Sequence, residues 1–129
     1  MNRLALAIVP LLAFSALARM DDALKKSTPI TKELEGEWLV DKGDMHLVLK
    51  LANDADGVGG GVLVAPEENN AEVPVTRIVQ TGSTVLIEIT PRIEVTFEGE
   101  MNKGGTQISG TWTMHSRPFS ITLVKRAGN

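Results

Sequence analysis

The chain contains no cysteine and no tyrosine, and only 4% of its residues are aromatic. Without cysteine there is neither a disulfide framework nor a thiolate metal site, so the fold has to hold by packing alone. With two tryptophans and three phenylalanines in all, the 43% of residues that are hydrophobic are mainly Leu, Ile, Val and Ala. The first three of these supply the core, and Ile and Val favour strands. Excess charge is also scarce. A net charge of −3 on 129 residues excludes the strongly basic surface of a nucleic-acid binder or a polybasic membrane module. The length implies a single domain.

One long apolar run occurs, and it is N-terminal. In "MNRLALAIVPLLAFSALARMDD" a basic start at Arg3 precedes an apolar stretch from Leu4 to Leu17, and Ala16-Leu17-Ala18 forms a small-x-small cleavage site. These are the three parts of a secretory signal peptide. The run is shorter than the ~20 apolar residues of a spanning helix, and Pro10 interrupts it. Residues 1–18 are therefore expected to be a signal peptide, giving a secreted or periplasmic protein without an integral membrane span after cleavage. Residues 19–35, "RMDDALKKSTPITKELE", carry Met20, Leu24, Ile30 and Leu34 as their sizeable apolar anchors. They read as a linker or a short N-terminal helix, and the sequence leaves both open.

From Gly36 onward the hydrophobic period is two and turn residues recur at short spacing, the pattern of antiparallel strands joined by hairpins. Eight strands are expected, at 36–42, 45–52, 58–65, 73–80, 83–90, 92–101, 107–114 and 118–125. The separators are Gly43-Asp44, Asn53 to Gly57, Thr81-Gly82, Pro91, Asn102 to Gly105 and His115 to Arg117. Alternation places Trp38, Leu49, Phe97, Trp112 and Phe119 on one face, and His46, Lys50, Glu94, Glu98, Thr111 and Thr122 on the other. A meander with one apolar face and two bare edges is an aggregation hazard when flat, and closure removes the hazard. The expected fold is all-β: an eight-stranded antiparallel up-and-down β-barrel, a calycin- or lipocalin-like meander over residues 36–126, with a tail at 127–129.

The stretch "ISGTWTMHSRPFSITL" at 108–123 holds Gly110 on the inward face between Ile108 and Trp112. A missing side chain there lets a strand bend at a barrel corner. A larger residue at 110 is expected to collide with packing around Trp112 and Phe119. Gly99 in "FEGEM" has the same expected role, and Gly36-Glu37-Trp38 repeats the Gly-x-Trp of Gly110-Thr111-Trp112.

The order "GEW", "LVLKLANDADG", "VPV" and "FEGEMNKGGTQISGTWTMHSRPFSITLVKR" resembles the small all-β domain that precedes the catalytic domain in some secreted bacterial α/β-hydrolases. The Gly-x-Trp of the first strand is also similar to that of lipocalins. The chain departs from the first pattern at Leu39-Val40, where a second glycine is common, and at "EENN", where an acidic-glutamine-glycine turn is common. The resemblance implies a companion module standing alone, without the enzyme half.

Catalytic chemistry finds little support in the residues. No Gly-x-Ser-x-Gly elbow is present around Ser83 or Ser116. His46 and His115 lack metal spacing, and "NDADG" at 53–57 is followed by "VGGGVLV" with no bidentate glutamate, so it reads as a turn rather than a calcium loop. Glu94, Glu98 and Glu100, spaced in even steps, read as a solvated face. No catalytic residue, metal or cofactor is expected. Two function classes stay open. One is a binding module holding a small apolar ligand in the lumen, near Trp38, Leu49, Gly61, Phe97, Gly110, Trp112 and Phe119. The other is a structural or protein-interaction domain with a packed core, whose partner is another secreted protein.

Overall fold

The computed structural model describes residues 26–90 and 93–126. The expected signal peptide, its cleavage site and the tail at 127–129 lie outside the described residues. Nine strands form: β1 (Gly36–Lys42), β2 (Met45–Asn53), β3 (Gly59–Ala65), β4 (Ala71–Pro74), β5 (Arg77–Thr81), β6 (Thr84–Ile89), β7 (Val95–Met101), β8 (Gln107–Met114) and β9 (Arg117–Lys125), with one 3-10 turn at Pro66–Glu68. They make a single antiparallel sheet, ordered β4-β3-β2-β1-β9-β8-β7-β6-β5 and curled into a half-barrel. Every strand but the outermost two pairs with two neighbours, and β1 pairs with β9 through Trp38↔Lys125 and Leu39↔Val124.

The ninth strand corrects the expected count of eight, and its cause is a change of partner. The run expected at 73–80 is divided: β4 pairs with β3 and β5 pairs with β6. Between them the Val75 N–H donates to the Gly61 carbonyl on β3, and the Thr76 N–H donates to the Glu88 carbonyl on β6. The chain thus steps from one edge of the sheet to the other. Residues 77–81 leave β3 behind, and a gap opens between Gly59 and Ile78.

Residues 26–35 fill that gap. The Thr28 N–H donates to Ile78 O at 3.0 Å while Thr28 O accepts from Gly59 N at 2.8 Å. The Ser27 and Thr28 hydroxyls accept from the N–H groups of Ile78 and Gln80. Gly59 is required at this spot, because a Cβ on it would lie 2.6 Å from Ile30 Cγ2 and 2.9 Å from Thr28 O. The strap then crosses the end of the sheet. Asn53 holds Ile30 by both backbone groups, at 2.9 and 2.8 Å, and a single turn closes on Thr31 O through the N–H groups of Leu34 and Glu35.

Ile30 and Leu34 enter the core with Trp38, Val40, Leu49, Leu63, Ile78, Val85, Ile87, Ile89, Val95, Phe97, Ile108, Trp112 and Leu123. Alternation along each strand sends these inward, as the period of two requires. The outer face carries Arg77, which forms a two-pronged ion pair with Glu88 directly opposite, at 2.6 and 3.2 Å.

Gly110 faces Gly99 across β7 and β8. A Cβ at 110 would lie 2.1 Å from the Glu98 carbonyl oxygen and 2.5 Å from Gly99 Cα. The obstacle is therefore the backbone of β7, not the rings of Trp112 and Phe119. Gly99 is covered by a ring, that of Phe97, whose Cζ is 2.7 Å from where a Cβ would stand. Backbone cannot yield as a side chain can, so Gly110→Ala is expected to cost on the order of 1–3 kcal/mol. Gly60→Ala on β3, with nothing within 4 Å, serves as the comparison and should stay within about 0.5 kcal/mol of the parent. Urea unfolding of both variants checks this, and equal midpoints would mean that β7 and β8 do not approach so closely.

Candidate functional site

The two ends of the half-barrel differ. Up-and-down topology puts the β2–β3, β5–β6 and β7–β8 connections at the strapped end, together with residues 26–35. There Ile30 is 6% exposed and Leu34 is fully buried. The Leu34 carbonyl accepts from Trp38 Nε1 at 2.9 Å, and the Lys125 ammonium reaches Glu33 O and stands 5.3 Å from the Trp38 ring centroid. Side chains and backbone of the strap plug this end.

At the far end, under the β1–β2, β3–β4, β6–β7 and β8–β9 connections, no such plug occurs among the described residues. Half-buried Met45, Leu47, Val73, Ile93, Met114 and Phe119 pack on the core instead. Below this apolar rim lies Trp112, which pairs with Phe97 on one side and Phe119 on the other. Its ring tilts 51° to that of Phe97, with centroids 6.1 Å apart. Trp112 is 1% exposed, and its Nε1–H has no hydrogen-bond partner. Lys42 stands over the Phe119 ring at 5.7 Å and donates to Ser120 O, setting one cation beside the rim. The β8–β9 turn there consists of His115 and Ser116, both at positive φ, the geometry of a tight type I′ hairpin.

The residues singled out in the sequence fall into separate groups. Trp38 and Leu49 are cross-strand neighbours toward the strapped end. Phe97, Trp112 and Phe119 form one row across β7, β8 and β9 toward the far end. The two tryptophans therefore do not share one end of the half-barrel. Gly61 and Gly110 lie at backbone contacts: a Cβ at 61 would be 2.0 Å from Lys50 O. At Gly59, Gly61, Gly99 and Gly110 the place a Cβ would occupy is taken up by Ile30, the Lys50 carbonyl, Phe97 and the β7 backbone in turn, so these glycines leave no room for a ligand. Trp38, Leu49 and Phe97 show no solvent exposure, so no water-sized space borders them.

Two features escaped the sequence reading. Ile30 and Leu34 are core residues in a polar segment, and their apolar character four positions apart was the available signal. The Trp112 indole is orphaned only because no carbonyl reaches it, which no residue pattern encodes. Asp54, in the turn that resembled a calcium loop, accepts from the N–H groups of Asp56 and Val58 and so shapes its own hairpin.

His46 is exposed on β2 and 3.1 Å from Asp41 across the β1–β2 pair. The hydrogen bond to Asp41 raises its pKa above the ordinary histidine value; desolvation opposes this, and the charges of Glu67, Asp41 and Asp44 each add a lesser upward push. The sign follows from linkage: a raised pKa stabilises the fold at pH below the ordinary histidine value, and that contribution is lost as pH rises through the raised one. Asp41→Asn is expected to move the His46 midpoint down, as read by NMR titration of its ring protons.

No family model matches this chain, and no match is found among curated proteins or solved structures. No described helix is long and apolar enough to cross a membrane.

The two indoles give a paired test. Trp38→Phe deletes a made hydrogen bond and strands the Leu34 carbonyl, whereas Trp112→Phe deletes a donor that had no partner. Trp38→Phe should therefore be the more damaging by about 1–2 kcal/mol. Thermal melts of the two variants decide it, and equal losses would show that the Trp112 N–H is satisfied in solution.

Proposed function

We propose that this domain is a non-catalytic binding module of the lipocalin-like kind, in which β4 and β5 act as one bent strand of a closed eight-stranded barrel. It takes a small, largely apolar molecule at the far-end mouth rather than along a through-lumen. The observation that carries this reading is the unpaired Trp112 Nε1–H beneath an apolar rim. A buried donor without a partner costs about 1–3 kcal/mol, and a ligand acceptor that reaches it recovers that cost. Methionines at 45 and 114 supply adaptable contacts, because the thioether chain is unbranched and flexible. The secretory pattern of residues 1–18 supports a location outside the cytoplasm for such a module.

A second reading has its own support. The unexposed middle layer of Trp38, Leu49, Ile78, Phe97 and Leu123 fits a solid companion domain that serves another secreted protein. A titration separates the two. N-phenyl-1-naphthylamine, a neutral apolar fluorophore, and a medium-chain monoacylglycerol are each added to the protein while tryptophan emission is followed. Saturable quenching that largely disappears in Trp112→Phe, with displacement of the fluorophore by the monoacylglycerol, is the expected result. No saturable change with either compound would leave the companion domain as the surviving account.

A further inference from the structure

A different face of the molecule carries a groove. On the outside of β8 and β9 lies a groove of about 680 Å³, with Gly110 on its floor and Asp41, Lys42, Ser109, Thr111, Ser120 and Thr122 along it. Register pairs Ser109 with Thr122 and Thr111 with Ser120. Four hydroxyls thus form a two-by-two grid on neighbouring strands, about 4.7–4.9 Å apart across the ladder. The grid continues onto β7, where Glu98 is opposite Thr111 and Glu100 opposite Ser109.

These groups differ in how far they are already engaged. Ser109 and Thr122 share a hydrogen bond at 3.2 Å, and Glu100 accepts from Ser83 and Thr84. Among the described residues, the hydroxyls of Thr111 and Ser120 and the carboxylate of Glu98 have no partner in the protein. They are exposed, so water serves them in the free state. A ligand that replaces that water has to offer both donors and acceptors at close intervals.

We infer that this groove binds a neutral polyhydroxylated chain, a saccharide, through Thr111, Ser120 and Glu98. The charge pattern selects against other classes. Asp41 and Lys42 balance within the groove, the Lys42 ammonium is turned to the Ser120 carbonyl, and the added carboxylates on β7 repel phosphate and sulfate groups. An apolar ligand gains little from Ile121, the one large hydrophobic residue along the groove, because its side chain is buried in the core. Sugar hydroxyls complement the set: they donate to Glu98 and exchange hydrogen bonds with the two protein hydroxyls.

The experiment is a titration of the ¹⁵N-labelled protein with cellohexaose, maltohexaose and N-acetylated chitohexaose, with inorganic phosphate and a lysine-rich peptide in parallel. Saturable amide shifts confined to residues 109–113 and 119–122 are expected with at least one oligosaccharide. The variant Thr111→Val/Ser120→Ala/Glu98→Gln should weaken that binding about tenfold or more, with an unchanged melting temperature. Thr111→Val alone, which keeps the strand preference at this position, gives a smaller loss in the same direction and stands in if the triple variant does not fold. The inference is overturned if no oligosaccharide moves these amides at millimolar concentration, if phosphate or the peptide moves them instead, or if Thr111→Val and the triple variant bind as the parent does.

Discussion

A curled sheet with one apolar face has two edges, and the N–H and C=O groups along them have to be met by something. In this chain they are met by residues that lie before the first strand and between the fourth and fifth. The Val75 and Thr76 amides cover one part of the seam. Ser27 and Thr28 cover the rest, satisfying Gly59, Ile78 and Gln80. The same strap carries Ile30 and Leu34 into the core and sets the Leu34 carbonyl against Trp38 Nε1. Removing it exchanges these hydrogen bonds for bonds to water, at about 0.5–1.5 kcal/mol each, and uncovers the core beneath Ile30 and Leu34, against a net stability of about 5–15 kcal/mol for a typical domain. The remaining packing depends on this seam being shut.

Most of the strands were legible because their period is strict and their turns are short. Residues 36–42 and 107–114 coincide with β1 and β8, where the alternation runs into a tight turn, Gly43-Asp44 after β1 and His115-Ser116 after β8. The break at Val75 and Thr76 was not legible. Alternation continues through it, since a strand that changes partner keeps its pleat, and hydrogen bonding rather than side-chain pattern marks the change. The strap was obscured for the opposite reason: backbone and side-chain polar contacts hold it, while only Ile30 and Leu34 mark it as core.

The separation of the tryptophans was within reach of counting. Both β1 and β8 start at the strapped end; Trp38 comes near the start of one and Trp112 near the finish of the other. Their inward direction was plain from the pattern, but height along the half-barrel needs strand polarity as well. The outer face, too, has a grain that alternation alone does not reveal. Across β3, β2, β1 and β9 the register aligns Val64, Val48, Leu39 and Val124, an aliphatic row. Further around, on β8 and β9, the outward positions turn to Ser and Thr.

The pairing of β1 with β9 sets the order in which this molecule can assemble. Arg126 bonds to Glu37 across 89 residues of chain, and the backbone bonds of Thr28 in the strap wait on Gly59 of β3 and Ile78 of β5. Hairpins β1–β2, β6–β7 and β8–β9 need only local search, but joining the first strand to the last demands the closure of almost the whole described chain. A topology with such distant contacts belongs to the slow side of the two-state range, from milliseconds to seconds. Until that closure the aliphatic edge of β1 stands bare, so the interval before β9 docks is the interval in which the chain is most exposed to pairing with another copy of itself.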